Sequence, residues 1–232
     1  RFVAASRGSP GARVTAMAFD RGERRLLTGS DDGSVKCWNH NNGQLLKEMV
    51  HRQPKGAVTQ VLHVQDEEKD ARLIVAAGWN RKVIVWPESD ASTLDDYRVL
   101  SGHEEDILCA AHCRGTDSLA TGDYGGVIIL WNVYSFHKKA TLRIESSNAY
   151  NRACERLCFL SARDDVEGGP VLLSGGADGF VRAWLTHPEG GGAVVGEDDP
   201  AHAAAGTGAV APFASFCAAA ESEDVTALAT DP

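Results

Sequence analysis

The residues best placed by type to do chemistry are His103-Glu104-Glu105-Asp106, the densest polar cluster in the chain. An imidazole beside three carboxylates could move protons or hold a cation. The cluster stands just ahead of the apolar run that begins at Ile107, so it reads as a loop leading into a strand. That structural reading outweighs the chemical one. Gly175-Gly176-Ala177-Asp178-Gly179 and Gly206-Thr207-Gly208 suggest a phosphate cradle. A cradle needs a strand before it, a helix after it and a Lys on the phosphate, and neither stretch supplies these. The six cysteines are Cys37, Cys109, Cys113, Cys154, Cys158 and Cys217, with no C-x-x-C pair. Cys109/Cys113 and Cys154/Cys158 are four apart along a strand, too far to share one metal comfortably. Buried, reduced thiols are the favoured reading, and they fit a reducing compartment such as cytoplasm. With no G-x-S-x-G and no His pair at helical metal spacing, the expectation is a non-enzymatic protein without metal or cofactor.

The elements that position these residues come from a repeat. Leu26-Leu27-Thr28-Gly29-Ser30-Asp31-Asp32-Gly33-Ser34-Val35-Lys36-Cys37-Trp38 reads as two strands folded over a tight Asp-Asp-Gly turn. Aligned on its tryptophan, the phrase returns three times. The copies end at Val83-Ile84-Val85-Trp86, Ile128-Ile129-Leu130-Trp131 and Val181-Arg182-Ala183-Trp184, with the tryptophans 48, 45 and 53 residues apart. An apolar strand precedes each copy: Val14 to Phe19, Val58 to Val64, Ile107 to His112 and Leu157 to Leu160. Four strands per unit and a period in the forties predict an all-β protein, a β-propeller of the WD40 type. A blade sandwiched between neighbours is covered on both faces, which accounts for the near-continuous apolar runs. A β-sandwich with accidental repeats is the minor alternative.

The expected blades run over residues 12–50, 56–100, 102–145 and 151–196. Residues 197–224, rich in Ala, Gly and acid, read as a low-complexity insertion. Val225 to Pro232 resembles Val14 to Asp20, so it reads as the first strand of a fifth blade and the whole as part of a longer chain. The formal net charge of −9 argues against nucleic acid as a partner. No apolar stretch approaches the length of a membrane span, so no membrane partner is expected.

The repeats resemble those of WD-repeat proteins, with departures. The family's Trp-Asp is replaced by Trp38-Asn39, Trp86-Pro87, Trp131-Asn132 and Trp184-Leu185. The family often joins the Trp, a strand Ser or Thr, a turn Asp and a Gly-His into one buried network. Gly102-His103 is the only well-spaced Gly-His here, and its blade carries Gly125 where the Asp belongs. No blade has the full set, so the expectation is that the blades are held mainly by apolar packing. A closer resemblance lies in the phrases Val14 to Asp20, Asn41-Asn42-Gly43, Ala76 to Arg81 and Leu130 to Val133. These look like a divergent WD-repeat group of motile cilia and flagella whose members often carry EF-hands. No EF-hand loop is present, so calcium is not carried over. The resemblance implies an axonemal scaffold in the cilium or flagellum, bound to other axonemal subunits. The alternative is a cytosolic adaptor or substrate-recognition propeller in a signalling or ubiquitin-ligase complex, reading a modified peptide with Arg13 and Arg156.

Propellers bind partners on the face that carries the turn between the second and third strands. The candidate protein-binding residues are therefore the turn-tip positions Asp31, Trp79, Tyr124 and Ala177. Arg13, Ala57, Asp106 and Arg156, each just ahead of a first-strand apolar residue, are placed on the same face. Trp79 and Tyr124 stand out, because Trp and Tyr are favoured interface anchors.

Overall fold

Each hairpin of the repeat closes because one residue of its turn takes a left-handed backbone, and that residue recurs in register. It is Gly33 (φ 82°), Arg81 (φ 61°), Gly126 (φ 80°) and Gly179 (φ 78°) in the four copies. Glycine adopts this conformation without strain, whereas Arg81 does so at a cost of about 1 kcal/mol. A carboxylate or amide then caps the turn by accepting the backbone N–H that opens the third strand. Asp32 Oδ1 accepts from Ser34 at 3.0 Å, Asn80 Oδ1 from Lys82 at 3.1 Å and Asp178 Oδ1 from Phe180 at 3.2 Å. In the third copy Gly125 has no side chain to offer. Asp123, two residues earlier, reaches the same N–H, that of Val127, at 2.8 Å.

The computed structural model describes residues 11–49, 51–88, 96–114, 116–145, 151–160, 170–186, 212 and 214–217. All the regular structure among them is strand. β1 (Val14–Phe19), β2 (Arg25–Ser30), β3 (Val35–Asn39) and β4 (Gln44–Met49) form the first antiparallel sheet. β5 (Val58–Asp66), β6 (Ala71–Gly78), β7 (Lys82–Pro87) and β8 (Arg98–Ser101) form the second. β9 (Ile107–His112), β10 (Ser118–Asp123), β11 (Val127–Asn132) and β12 (Lys138–Arg143) form the third. β13 (Cys154–Phe159), β14 (Val171–Gly176), β15 (Phe180–Leu185) and β16 (Ala214–Cys217) form the fourth. In all four the strands follow one another in chain order, the arrangement of a WD40-type blade.

The chain divides into two compact units, Arg1–Ile107 and Leu108–Pro232. In the first, Leu27, Val35 and Cys37 of one sheet pack against Val61, Ile74 and Trp86 of the next. In the second, Ile128 and Leu130 pack with Leu157, Leu172 and Trp184. Each fully buried aliphatic side chain contributes about 2 kcal/mol, so these layers outweigh any single polar contact. The sheets approach closely because the penultimate residue of the second strand is small. A Cβ on Gly29 would come within 2.4 Å of Val58 Cγ1, and one on Gly122 within 2.5 Å of Cys154 Sγ. In the first unit Thr15 Oγ1 also donates across the gap to the Val58 carbonyl at 2.6 Å.

Two expectations need correction. The outer strand of the fourth sheet is Ala214–Cys217, drawn from inside the stretch read as a low-complexity insertion. Ala-Ser-Phe-Cys is an ordinary short strand sequence, and its acidic, Gly-rich surroundings hid it. The expected start of β13 at Leu157 also falls too late, because the strand already begins at Cys154 and a bulge lies between Cys154 and Arg156. The expected fifth-blade strand over 225–232 lies outside the described residues.

Gly126 tests the turn geometry. Its φ is 80°, and an added Cβ would meet the Arg152 carbonyl oxygen at 2.5 Å. Gly126→Ala is expected to destabilise the second unit by about 2 kcal/mol. A lowered urea midpoint would show this. An unchanged midpoint would mean that the turn relaxes without cost.

Candidate protein-binding site

The turn tips are presented on backbone that is fixed at both ends. The tryptophan closing the third strand anchors the hairpin from below. Trp38 Nε1 donates to Thr28 Oγ1 at 2.9 Å, Trp131 Nε1 to Thr121 Oγ1 at 2.8 Å and Trp184 Nε1 to Ser174 Oγ at 2.8 Å. All three pairs are buried, so each hydrogen bond stabilises by about 1 kcal/mol and would cost more if left half-made. Three of the four sheets thus add a polar lock to the apolar packing expected to hold the blades in the main. In the second sheet Ala76 replaces the hydroxyl residue, and His51 lies against Trp86 with ring centroids 6.0 Å apart.

At the other end, the tip residue is tied to the start of the first strand of its own sheet. The N–H of Asp31 donates to the Arg13 carbonyl at 3.0 Å, that of Trp79 to Ala57 at 2.9 Å and that of Ala177 to Ala153 at 3.0 Å. The backbone bond leaves the tip side chain unconstrained, and the four copies use that freedom differently. Asp31 turns back on Arg13: its Oδ1 accepts the Arg13 backbone N–H and its Oδ2 the Nε–H, each at 2.9 Å. Those bonds hold the Asp31 carboxyl below the usual carboxylate range. Trp79 and Tyr124 instead stand out, 56 % and 60 % exposed. Ala177 is half-buried.

The other named residues divide. Arg13 and Ala57 do sit beside the tips, through the bonds just given. Asp106 lies on the same rim of the first unit, 3.5 Å from Arg81 Nε. Arg156 does not occupy the matching place. It lies inside β13 opposite Gly175, and Ala153 holds the position equivalent to Arg13 and Ala57. The misplacement came from taking Leu157 as the first strand residue.

His51 was missed by the sequence reading. It precedes Val58 by seven residues, where His103 precedes Ile107 by four. The longer approach conceals the match, yet the ring reaches Trp86 and Tyr97. Burial pushes its pKa down, against the hydrogen bonding near Gly33 and Gln53.

The opposite strand ends of the first unit carry a charged network. Arg25 bonds both oxygens of Glu88, and its Nε lies 3.0 Å from Asp20 Oδ2. His63, its side chain 1 % exposed, places Nε2 3.1 Å from Glu88 Oε2. Burial alone would raise the Glu88 pKa, but the His63 and Arg25 hydrogen bonds and the Arg25 charge outweigh it and hold Glu88 low. Asp20 follows the same pattern, with burial opposed by Arg25 and the Arg24 amide. The network joins first and second sheets far from the turn tips, so it is a clasp and not part of the site.

A carboxylate with a depressed folded pKa contributes stability that is present above its unfolded value and is lost as pH falls through the folded value. The unfolded values are 4.5 for Glu88 and 3.8 for Asp20, so the loss falls below about pH 4.5. Glu88→Gln should lower the stability of the first unit at pH 7 by about 1–3 kcal/mol. Urea midpoints of wild type and variant should converge as pH approaches about 3. A gap that stays constant with pH would rule out the ionised clasp.

Two stretches, residues 3–39 and 95–132, match the family model described as WD domain, G-beta repeat. Among curated proteins, the chain is similar to the WD repeat-containing protein on Y chromosome of Drosophila virilis, 36% identical over 121 residues. The protein of the same name from Drosophila pseudoobscura pseudoobscura is 35% identical and that from Drosophila yakuba 34%, each over 121 residues. These alignments cover 52% of this chain and 10–11% of the relatives, so the chain spans about a tenth of their length. The matched stretches take in β1–β3 and β8–β11, and the four antiparallel meander sheets, each with a buried tryptophan near the end of its third strand, give the chain the all-β architecture of WD40-type blades.

Proposed function

We propose that the chain is a non-enzymatic protein-interaction scaffold that engages partners through its turn tips, with Trp79 and Tyr124 as the anchors. The observation that carries this reading is the exposure of two large aromatic side chains, 56 % and 60 %, at equivalent places in two repeats. Core packing does not call for them there. The backbone under Trp79 is pinned to Ala57, so Trp79 loses little backbone freedom on binding, and Trp and Tyr rings bury large areas. In the first unit Asp31, Arg13 and Asp106 supply the polar groups beside the tips, and in the second the tip Ala177 offers only a small apolar side chain.

The finer part of the proposal is a structural role in the ciliary or flagellar axoneme, with other axonemal subunits as partners. Its support is the resemblance of the phrases Val14 to Asp20, Ala76 to Arg81 and Leu130 to Val133 to ciliary WD-repeat proteins. The relatives' shared name supports the repeat class. The adaptor reading loses ground on two residues. Arg13 is already ion-paired with Asp31, and Arg156 lies within a strand away from the tips.

The test compares wild type with the Trp79→Ala/Tyr124→Ala double variant as bait in ciliary and cytosolic extracts. Partners recovered from the ciliary extract should be lost from the variant, at least tenfold by quantitative mass spectrometry, while its circular dichroism and melting curve stay unchanged. Equal recovery by a folded variant would remove these two tips as the binding anchors. Recovery from the cytosolic extract alone would overturn the axonemal assignment.

A further inference from the structure

Within the second unit, two cysteines from different sheets meet. Cys109 on β9 and Cys154 on β13 place their sulfurs 3.8 Å apart, both buried. The Cys109 thiol also lies 3.2 Å from the Cys154 carbonyl oxygen, which accepts its S–H. Gly122 on β10 lets them meet. A Cβ at that residue would stand 2.5 Å from Cys154 Sγ and 3.0 Å from Cys109 Sγ. In the first unit Gly29 faces Val58, the residue whose strand register matches that of Cys154, so the place needs an apolar side chain but not a thiol.

We propose that Cys109 and Cys154 are an oxidation site at which a hydroperoxide converts the two thiols into a disulfide fastening the third sheet to the fourth. The Cys109 sulfur, as thiolate, attacks the outer oxygen of the hydroperoxide. The O–O bond breaks, the alkoxide or hydroxide leaves and takes a proton from water, and Cys109 becomes a sulfenic acid. The Cys154 sulfur then attacks the Cys109 sulfur, the S–O bond breaks, and the hydroxide leaves as water with the Cys154 proton. Two thiols and ROOH become one disulfide, ROH and H2O, with two electrons passing from sulfur to oxygen. The sulfurs must close from 3.8 Å to about 2.05 Å. The hydrogen bond to Cys109, followed by burial, keeps Cys154 protonated well above the ordinary thiol range, so its proton is the one that leaves with the hydroxide in the second step. β9 and β13 are both edge strands of their sheets, so local opening admits the oxidant without unfolding either sheet.

The experiment treats the reduced full chain with hydrogen peroxide, blocks remaining thiols with N-ethylmaleimide and maps the peptides by mass. The expected main product is a peptide pair linking Cys109 to Cys154, two hydrogens lighter than the reduced pair. Its formation should raise the urea midpoint of the second unit, and dithiothreitol should restore the original value. Cys154→Val, which copies the first unit, should keep the fold and abolish the link. Three outcomes would overturn the proposal: both thiols still blocked by N-ethylmaleimide after unfolding, links scattered among Cys37, Cys113 and Cys158, or a peroxide-induced rise of the urea midpoint that persists in Cys154→Val.

Discussion

A four-stranded sheet with apolar side chains on both faces cannot stand alone in water, and everything in this chain follows from covering those faces. Val83, Ile84, Val85 and Trp86 are consecutive and all buried, which is possible only where neighbours lie on both sides of the strand. Close packing then sets the small residues. Gly29 and Gly122 are glycines because Val58 and Cys154 occupy the space a Cβ would need. The glycines, the apolar runs and the repeat period are thus three expressions of one constraint, that sheets pack face to face at near-contact distance.

Polar groups fit around that constraint and are not free of it. The Trp–hydroxyl locks lie where the hairpin is already sealed from water, so each must be satisfied once formed. Substitutions are absorbed locally. When Gly125 removes the cap in the third repeat, Asp123 reaches the Val127 amide, and when Ala76 removes the hydroxyl in the second, His51 lies against the tryptophan. The clasp of Arg25, Glu88, Asp20 and His63 ties the other ends of the first two sheets. Its carboxylates are depressed despite burial because each has a cation and donors in direct contact.

Most of the fold is legible in the sequence because the repeat states each strand several times. β1 and β9 fall where their residues predict, since apolar runs bounded by turn residues leave little choice. The failures occur where one copy departs from the others. β16 sits in a stretch whose composition hides it, and β13 begins ahead of its most apolar residue. Other features are not properties of any one stretch. Cys109 and Cys154 are 45 residues apart, and a search for metal or disulfide spacing along the chain groups each with its near neighbour instead. Asp123 looks like a strand residue until the turn folds back and brings Val127 to it.

The same constraint explains why the turn tips can carry specificity. Most positions of the inner strands answer to a neighbour across a sheet or between sheets, so their side chains are fixed by packing. The tip is tied to the sheet through its backbone N–H, which Asp31, Trp79 and Ala177 all donate. The fold therefore specifies the position of that residue and leaves its side chain undetermined. An acid, two aromatics and an alanine occupy the four copies without disturbing the hairpins beneath them. A scaffold needs that separation: strands that tolerate little change, presenting side chains that tolerate a great deal. Trp79 and Tyr124 are costly to expose to water and unnecessary to the sheets, which is what singles them out as the proposed anchors.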